Sequence, residues 1–468
     1  MKNFGALRRR SLFAGLLVAA AVAVASLADA SSTRAAGPQA HPIIVKPLVS
    51  NPQYPSPNGS GDLFGCQGRP IQGTRGPRCY TPAQVQSAYG YSGLLASGVN
   101  GTGRTIVIVD AFSNPYVAND LAIQDAEFGL PAPPSFTAVA PQGVPTFDSS
   151  NGDMDGWAEE ITLDVLWSHA MAPGASIVLV EAKSDQDADI LAATQWAISN
   201  HVGDVLSQSF GEAETCVDPS ILAAEHTAFQ QAVDSGMTVF ASSGDSGAAQ
   251  FNCAFTGAIL SASSPASDPL VTAVGGTTLN ATDPKGNYAQ ETAWTEQLFG
   301  CNPPAVAAND INCSGGGFST LYSRPSYQKG IVSGGTGRGV PDVSYDAGVN
   351  GGVLTHCGIC NLLNGLDPSN PNVFFIFGGT SSGSPQWAAL TADADQMAGH
   401  DLGEINPKLY KLAASTSSYT MSLHDVNLGN NDVAEIGGQG YNAGNGWDPV
   451  TGLGTPNAAN LLVALARG

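Results

Sequence analysis

An α/β fold with a mostly parallel central sheet flanked by helices is the class this sequence predicts. Three observations carry that expectation. Continuous apolar runs recur along the chain, as strands buried on both faces require. Stretches with helical spacing stand between several of them. Two of the runs stop in polar, Gly-flanked turns, the kind of place where function collects in such sheets.

The strands are expected at 105–109, 176–180, 205–210, 237–241, 270–274 and 373–377. The helices are expected near 117–129, 156–170, 186–200, 218–235 and 384–398. Folded sequence should begin near Cys79-Tyr80-Thr81-Pro82, where Thr81 can cap a helix and Pro82 can open it. A single large domain is therefore expected over 79–468, preceded by a Pro-, Ser-, Gly- and Asn-rich linker at 31–78.

Residues 1–30 read as a signal peptide. Lys2 and Arg8-Arg9-Arg10 form a basic start, Leu12 to Leu27 is apolar, and Ala28-Asp29-Ala30 is a small-x-small cleavage site. A membrane anchor is the alternative, but the apolar run is short for a span and a cut site follows it. The mature chain is expected to be secreted, monomeric and not associated with membranes. Eight cysteines in an exported chain suggest up to four disulfides, and nearest neighbours would give 66–79, 216–253, 301–313 and 357–360. Cys357-Gly-Ile-Cys360 reads as a small structural loop, since no helix signal stands behind it. The net charge of −21 argues against nucleic-acid binding. It is compatible either with simple solubility or with work at low pH, where carboxylates protonate and self-repulsion falls.

Val373 to Phe377 runs into Gly378-Gly379-Thr380-Ser381-Ser382-Gly383-Ser384-Pro385 and then a helix-like stretch. A serine at such a turn is exposed near the positive end of a helix. It is a poor nucleophile without a base. None of the seven histidines lies in a Gly-rich His-Gly-Thr context. Carboxylates are better placed. A helix opened by an Asp155 cap would put Trp157, Glu160, Ile161, Asp164 and Ser168 on one face, with Glu159 solvated on the other. On a half-apolar face, Glu160 and Asp164 would share a proton and serve as a base at acid pH, where imidazole is already protonated. Asp245, in the turn Gly244-Asp245-Ser246-Gly247, is either a local turn residue or, when protonated, a donor to an oxyanion. Near the C-terminus, Asp425 and Asp448 stand among tight Gly turns and suit a hard cation, with Ca²⁺ favoured; an ion-free turn region is the alternative.

Together these motifs resemble the sedolisin (serine-carboxyl peptidase) family. The matching pieces are Glu160-x-x-x-Asp164, Ser243-Gly244-Asp245-Ser246-Gly247, Gly379-Thr380-Ser381-x-x-x-Pro385, and Asp425-Val426 with Gly444-x-Gly446-Trp447-Asp448. The resemblance implies a subtilisin-like fold and a serine-type endopeptidase acting on polypeptides. Ser381 would be the nucleophile, Glu160 the base, Asp164 its partner, and Asp245 the oxyanion donor. One structural Ca²⁺ would be held by Asp425 and Asp448 with the carbonyls of Val426, Gly444 and Gly446. Asp110 would extend the proton network, and Ser209-Phe210-Gly211 would line the substrate cleft, with Phe210 standing where several relatives carry Trp. A long N-terminal prodomain, usual in the family, does not fit within 31–78. A catalytically impaired, peptide-binding relative and a His-based serine hydrolase are the competing readings.

Overall fold

The computed structural model describes residues 42–43, 48–54, 64, 66–67, 79–281, 285–295, 301 and 312–467, all within one compact unit spanning 40–468. The proposed signal peptide at 1–30 lies outside the described residues. An eight-stranded sheet forms the centre. Its order runs Tyr288–Ala293, Thr272–Ala281, Thr238–Ser242, Val205–Gln208, Thr105–Ala111, Ser176–Ala182, Phe136–Val139, and Val343–Asp346 also pairs with Thr272–Ala281. All pairings are parallel except that of Tyr288–Ala293. The expected strands at 105–109 and 176–180 lie inside it, apolar on both faces, and the one expected at 205–210 is the shorter Val205–Gln208, interior too although Ser207 and Gln208 are polar.

Helices form at Val117–Phe128, Gly152–Met171, Asp187–Ser199, Pro219–Asp234 and Gly383–Ala398, as the spacing predicts. Thr81 caps the helix Pro82–Ala88 in a reciprocal box with Gln84, and Pro82 opens it. Three local expectations need correction. Asp155 is not a cap: Asn151 accepts from the amides of Asp153 and Met154, so the helix starts earlier, at Gly152. Cys357 does begin a short helix, Gly358–Leu363, and bonds covalently to Cys360, with both residues buried. The run 373–377 is not part of the parallel sheet. Phe375–Gly378 belongs to a separate four-stranded sheet with Leu48–Val49, Gly352–Thr355 and Cys79–Tyr80.

That second sheet also shows that folded structure begins before Cys79. Leu48 pairs with Gly378 and Val49 with Phe377, antiparallel. The Ser50 amide donates to Ile376 O at 2.9 Å, and the Gln53 amide to Phe374 O at 2.7 Å. Part of the segment read as a linker is therefore an edge strand. The four nearest-neighbour disulfides, Cys66–Cys79, Cys216–Cys253, Cys301–Cys313 and Cys357–Cys360, all form. Among the described residues no helix is long and apolar enough to cross a membrane.

Candidate active site

Two elements bring the candidate residues together. Phe375–Gly378 ends at Gly379, whose φ of 90° turns the chain into a 3₁₀ turn, Thr380–Ser382, and then into helix Gly383–Ala398. A Cβ at position 379 would lie 2.5 Å from Asp245 Oδ2, so glycine is required twice over, by conformation and by space. Ser381 is half-buried at this turn.

The second element is helix Gly152–Met171, packed against the central strand Thr105–Ala111 and helix Gly383–Ala398. The shared face expected from the sequence is deeply buried: Trp157 and Glu160 are 1% exposed, and Ile161, Asp164 and Ser168 are fully enclosed. The opposite face is less wet than expected. Glu159 is half-buried, and desolvation pushes its carboxyl up to about 7, helped by the Asp155 charge. The Trp157 ring packs on Phe210 with centroids 5.8 Å apart.

The Ser381 hydroxyl donates to Ser209 O at 3.3 Å, and the Ser209 hydroxyl donates to Ser381 O at 3.3 Å. The Ser381 hydroxyl is also near enough to Glu160 to favour its ionised form, although no well-formed hydrogen bond joins them. A similar relation holds between the Ser209 hydroxyl and Asp164. Both oxygens of Glu160, of Asp164 and of Asp110 are buried without a hydrogen-bond partner.

Burial is the largest influence on all three, and it drives each pKa well above the usual carboxylate range. For Glu160 the next is repulsion from Asp164, for Asp164 repulsion from Asp110, and for Asp110 repulsion from Glu160 and Glu181. The three acids thus form one interacting set that holds protons at acid pH. Asp245 is half-buried beside the turn that carries Ser381. Its Oδ1 accepts from the Thr380 amide at 2.8 Å and the Thr380 hydroxyl at 2.7 Å, which leaves Oδ2 beside Gly379 free for a proton. Burial raises its pKa, and the two Thr380 bonds oppose the rise.

Among the described residues no histidine hydrogen-bonds Ser381. His169 bonds to Pro131 O, His226 to Asp268, and His356 to Asp120 and Asn370 O. Two groups escaped sequence reasoning. Glu181 is the strand neighbour of Asp110, a pairing set by register between strands 71 residues apart rather than by any local pattern. Asp393, in the helix that follows Ser381, is fully buried with both oxygens unpartnered.

Away from this cleft, the residues expected to hold calcium are drawn into one knot. The Gly446 amide donates to both Asp425 oxygens at 3.1 Å, and the Gly444 amide to Asp448 Oδ2 at 3.0 Å. The Thr451 hydroxyl bridges Val426 O and Asp448 Oδ2, at 3.0 and 2.9 Å. Burial pushes Asp448 up to about 6. Among the described residues no cluster of three or more His, Cys, Asp or Glu suits a metal, and this knot has two carboxylates. Two carboxylates with backbone carbonyls still make an all-oxygen set of the kind a hard cation takes.

A subtilase family model matches residues 150–426. The chain is 33% identical over 398 residues to kumamolisin from Bacillus sp. (strain MN-32), an overlap of 83% of this chain and 64% of that protein. It is 36% identical over 325 residues to sedolisin from Pseudomonas sp. (strain 101), covering 67% of this chain and 50% of that one. The chain thus spans between half and two thirds of these relatives' length. A solved Pseudomonas sedolisin, described as a serine-carboxyl proteinase complexed with two molecules of pseudo-iodotyrostatin, superposes with a TM-score of 0.68. There the identity is 28%, over 82% of this chain and 97% of that one. The fold is therefore subtilisin-like, and the chain belongs to the subtilase family, in its sedolisin branch.

Proposed function

We propose that this protein is a secreted serine-carboxyl peptidase that hydrolyses polypeptides at acid pH through an acyl-enzyme on Ser381. One observation carries the reading: the Ser381 hydroxyl lies near a buried, unpartnered pair of acids, and among the described residues no histidine hydrogen-bonds it. In the reaction, Glu160 takes the hydroxyl proton as Ser381 Oγ attacks the scissile carbonyl, then passes it to the leaving amine. Asp164 holds the other proton of the pair, which leaves Glu160 ionised and able to accept until the attack. The Ser381 amide and a protonated Asp245 donate to the oxyanion. Water then repeats the sequence to release the acid product. The Asp245 step needs a proton on its carboxyl, which supports acid rather than neutral operation. Four disulfides support an oxidising, extracellular setting.

A pH–rate profile on a denatured protein tests the reading. The maximum is expected on the acid side of neutrality. A maximum at neutral or alkaline pH, abolished by replacing one histidine and kept in Glu160→Gln, would establish a His-based hydrolase instead.

A structural Ca²⁺ is part of the same proposal, with Asp425, Asp448 and the carbonyls of Val426, Gly444 and Gly446 as its holders. The ion would neutralise the two carboxylates and fix the C-terminal turns, and no chemical step passes through it. At a hundredfold excess over Kd, a bound ion adds about 2.7 kcal/mol. Chelator should therefore lower Tm by roughly 2–4 °C, and Asp448→Ala should remove that sensitivity. Identical melting curves with and without chelator would reject the site.

A further inference from the structure

Three of the four acids at the carboxyl end of the central strands are sealed from water. Asp110 and Asp164 are fully buried and Glu160 is 1% exposed, while Glu181 is 9% exposed. In the parallel ladder between Thr105–Ala111 and Ser176–Ala182, Asp110 and Glu181 are direct partners. Ile106 and Ile108 share a core with Ile177, Leu179 and the helix residue Ile161, whereas Val107, Val109, Val180 and Ala182 lie in the opposite core. Strand alternation therefore points Asp110 and Glu181 to the face covered by helix Gly152–Met171, the helix of Glu160 and Asp164. Asp110 feels both Glu160 and Glu181 and so links them in a row of interacting carboxyls, of which Glu181 is the most exposed.

We propose that Glu181 is a positioning residue that sets the neutral-pH limit of the site, its ionisation acting through Asp110 on the Glu160–Asp164 pair. This rests on the serine-carboxyl reading above. Asp110 pairs with Glu181 from the neighbouring strand, and the covering helix carries Asp153, Asp155, Glu159, Glu160, Asp164 and His169. Phe136–Val139, on its other side, carries no ionisable group, and Lys183, two residues on, is exposed. Helix Asp187–Ser199 covers the opposite core.

The direction of the effect follows from charge. Desolvation pushes Glu181 up to about 7, so at acid pH it is neutral and exerts no field. Near neutrality it ionises, and a negative charge beside Asp110 makes the row hold its remaining protons to higher pH. Removing that charge should release them earlier.

The test is a pH–rate profile on a quenched fluorescent peptide. Enzyme is kept at acid pH and mixed into each assay buffer, so that initial rates report titration and not slow unfolding. In Glu181→Gln the neutral limb should move down by about 0.5–1 in pH, with the acid limb unmoved and KM unchanged. Glu181→Asp should restore the limb, and Glu181→Lys should move it further down. In an Asp110→Asn background the Glu181→Gln displacement should vanish. An unmoved limb in Glu181→Gln overturns the proposal, as does an equal displacement with Asp110 already replaced. If Asp110→Asn is inactive, a Glu181→Lys limb no lower than that of Glu181→Gln overturns it. A fully active Ser381→Ala would bring down the reading beneath it rather than this residue's role alone.

Discussion

Glu160→Gln is expected to lower kcat by about 10⁴–10⁶-fold while leaving KM within a few-fold of wild type. The amide fills the same buried space, so the fold should tolerate it, but it cannot accept the Ser381 proton. Ser381→Ala should cost a similar factor, and the double variant little more, because base and nucleophile act as one unit. The residual rate should stay above the uncatalysed reaction, since the Ser381-turn amide and Asp245 remain. Asp245→Asn is expected to cost less, about 10²–10³-fold, the usual loss for one oxyanion donor. Steady-state kinetics at the acid optimum would measure all four. A Glu160→Gln enzyme within tenfold of wild type would remove Glu160 from the chemistry.

Stability should fall steeply as pH rises toward neutrality. Burial lifts Asp395 and Glu225 to about 8 and Glu212 to about 9, and drives Asp393, Asp110, Glu160 and Asp164 well above their normal range. A carboxyl whose folded pKa exceeds its unfolded pKa binds more protons in the folded state between the two values. Stability therefore falls with pH across that window. The contribution is complete below about pH 4, the unfolded carboxylate pKa, and is lost progressively up to about pH 9. A carboxyl whose pKa is higher by one in the folded chain than in the unfolded chain contributes about 1.4 kcal/mol, so several such groups together can exceed the few kcal/mol that hold a domain folded. A drop in Tm of roughly 10 °C or more between pH 4 and pH 8 is expected by calorimetry. Asp393→Asn should flatten the slope and leave the acid end nearly unchanged, because the amide cannot ionise. A Tm that rose with pH would contradict the burial of these acids.

The parts of the site that depend on local spacing were readable from the chain. Glu160 and Asp164 are one helical turn apart, so their common face with Trp157 followed from helical geometry alone. Ser381 and Asp245 were marked by the apolar runs before them and the glycines around them. The parts that depend on partners far away in sequence were not readable. Nothing local says that Asp110 stands opposite Glu181, since register is set when strands pair. The strand Phe375–Gly378 has the same apolar signature as the parallel strands, yet it joins a different sheet, because composition records burial and not neighbours. Glu159 was expected in water from its place on the helix. Packing against both sides of that helix overrode the pattern.

The short ladder between Leu48–Val49 and Phe375–Gly378 carries a practical consequence. A protein trimmed to start at Cys79 would lose the partners of the Ile376 and Phe374 carbonyls and leave an open, apolar strand margin three residues from the nucleophile. Such a trimmed form would be prone to self-association at that margin. Where the chain is cut during purification or maturation therefore bears on both its solubility and the seating of its reactive serine.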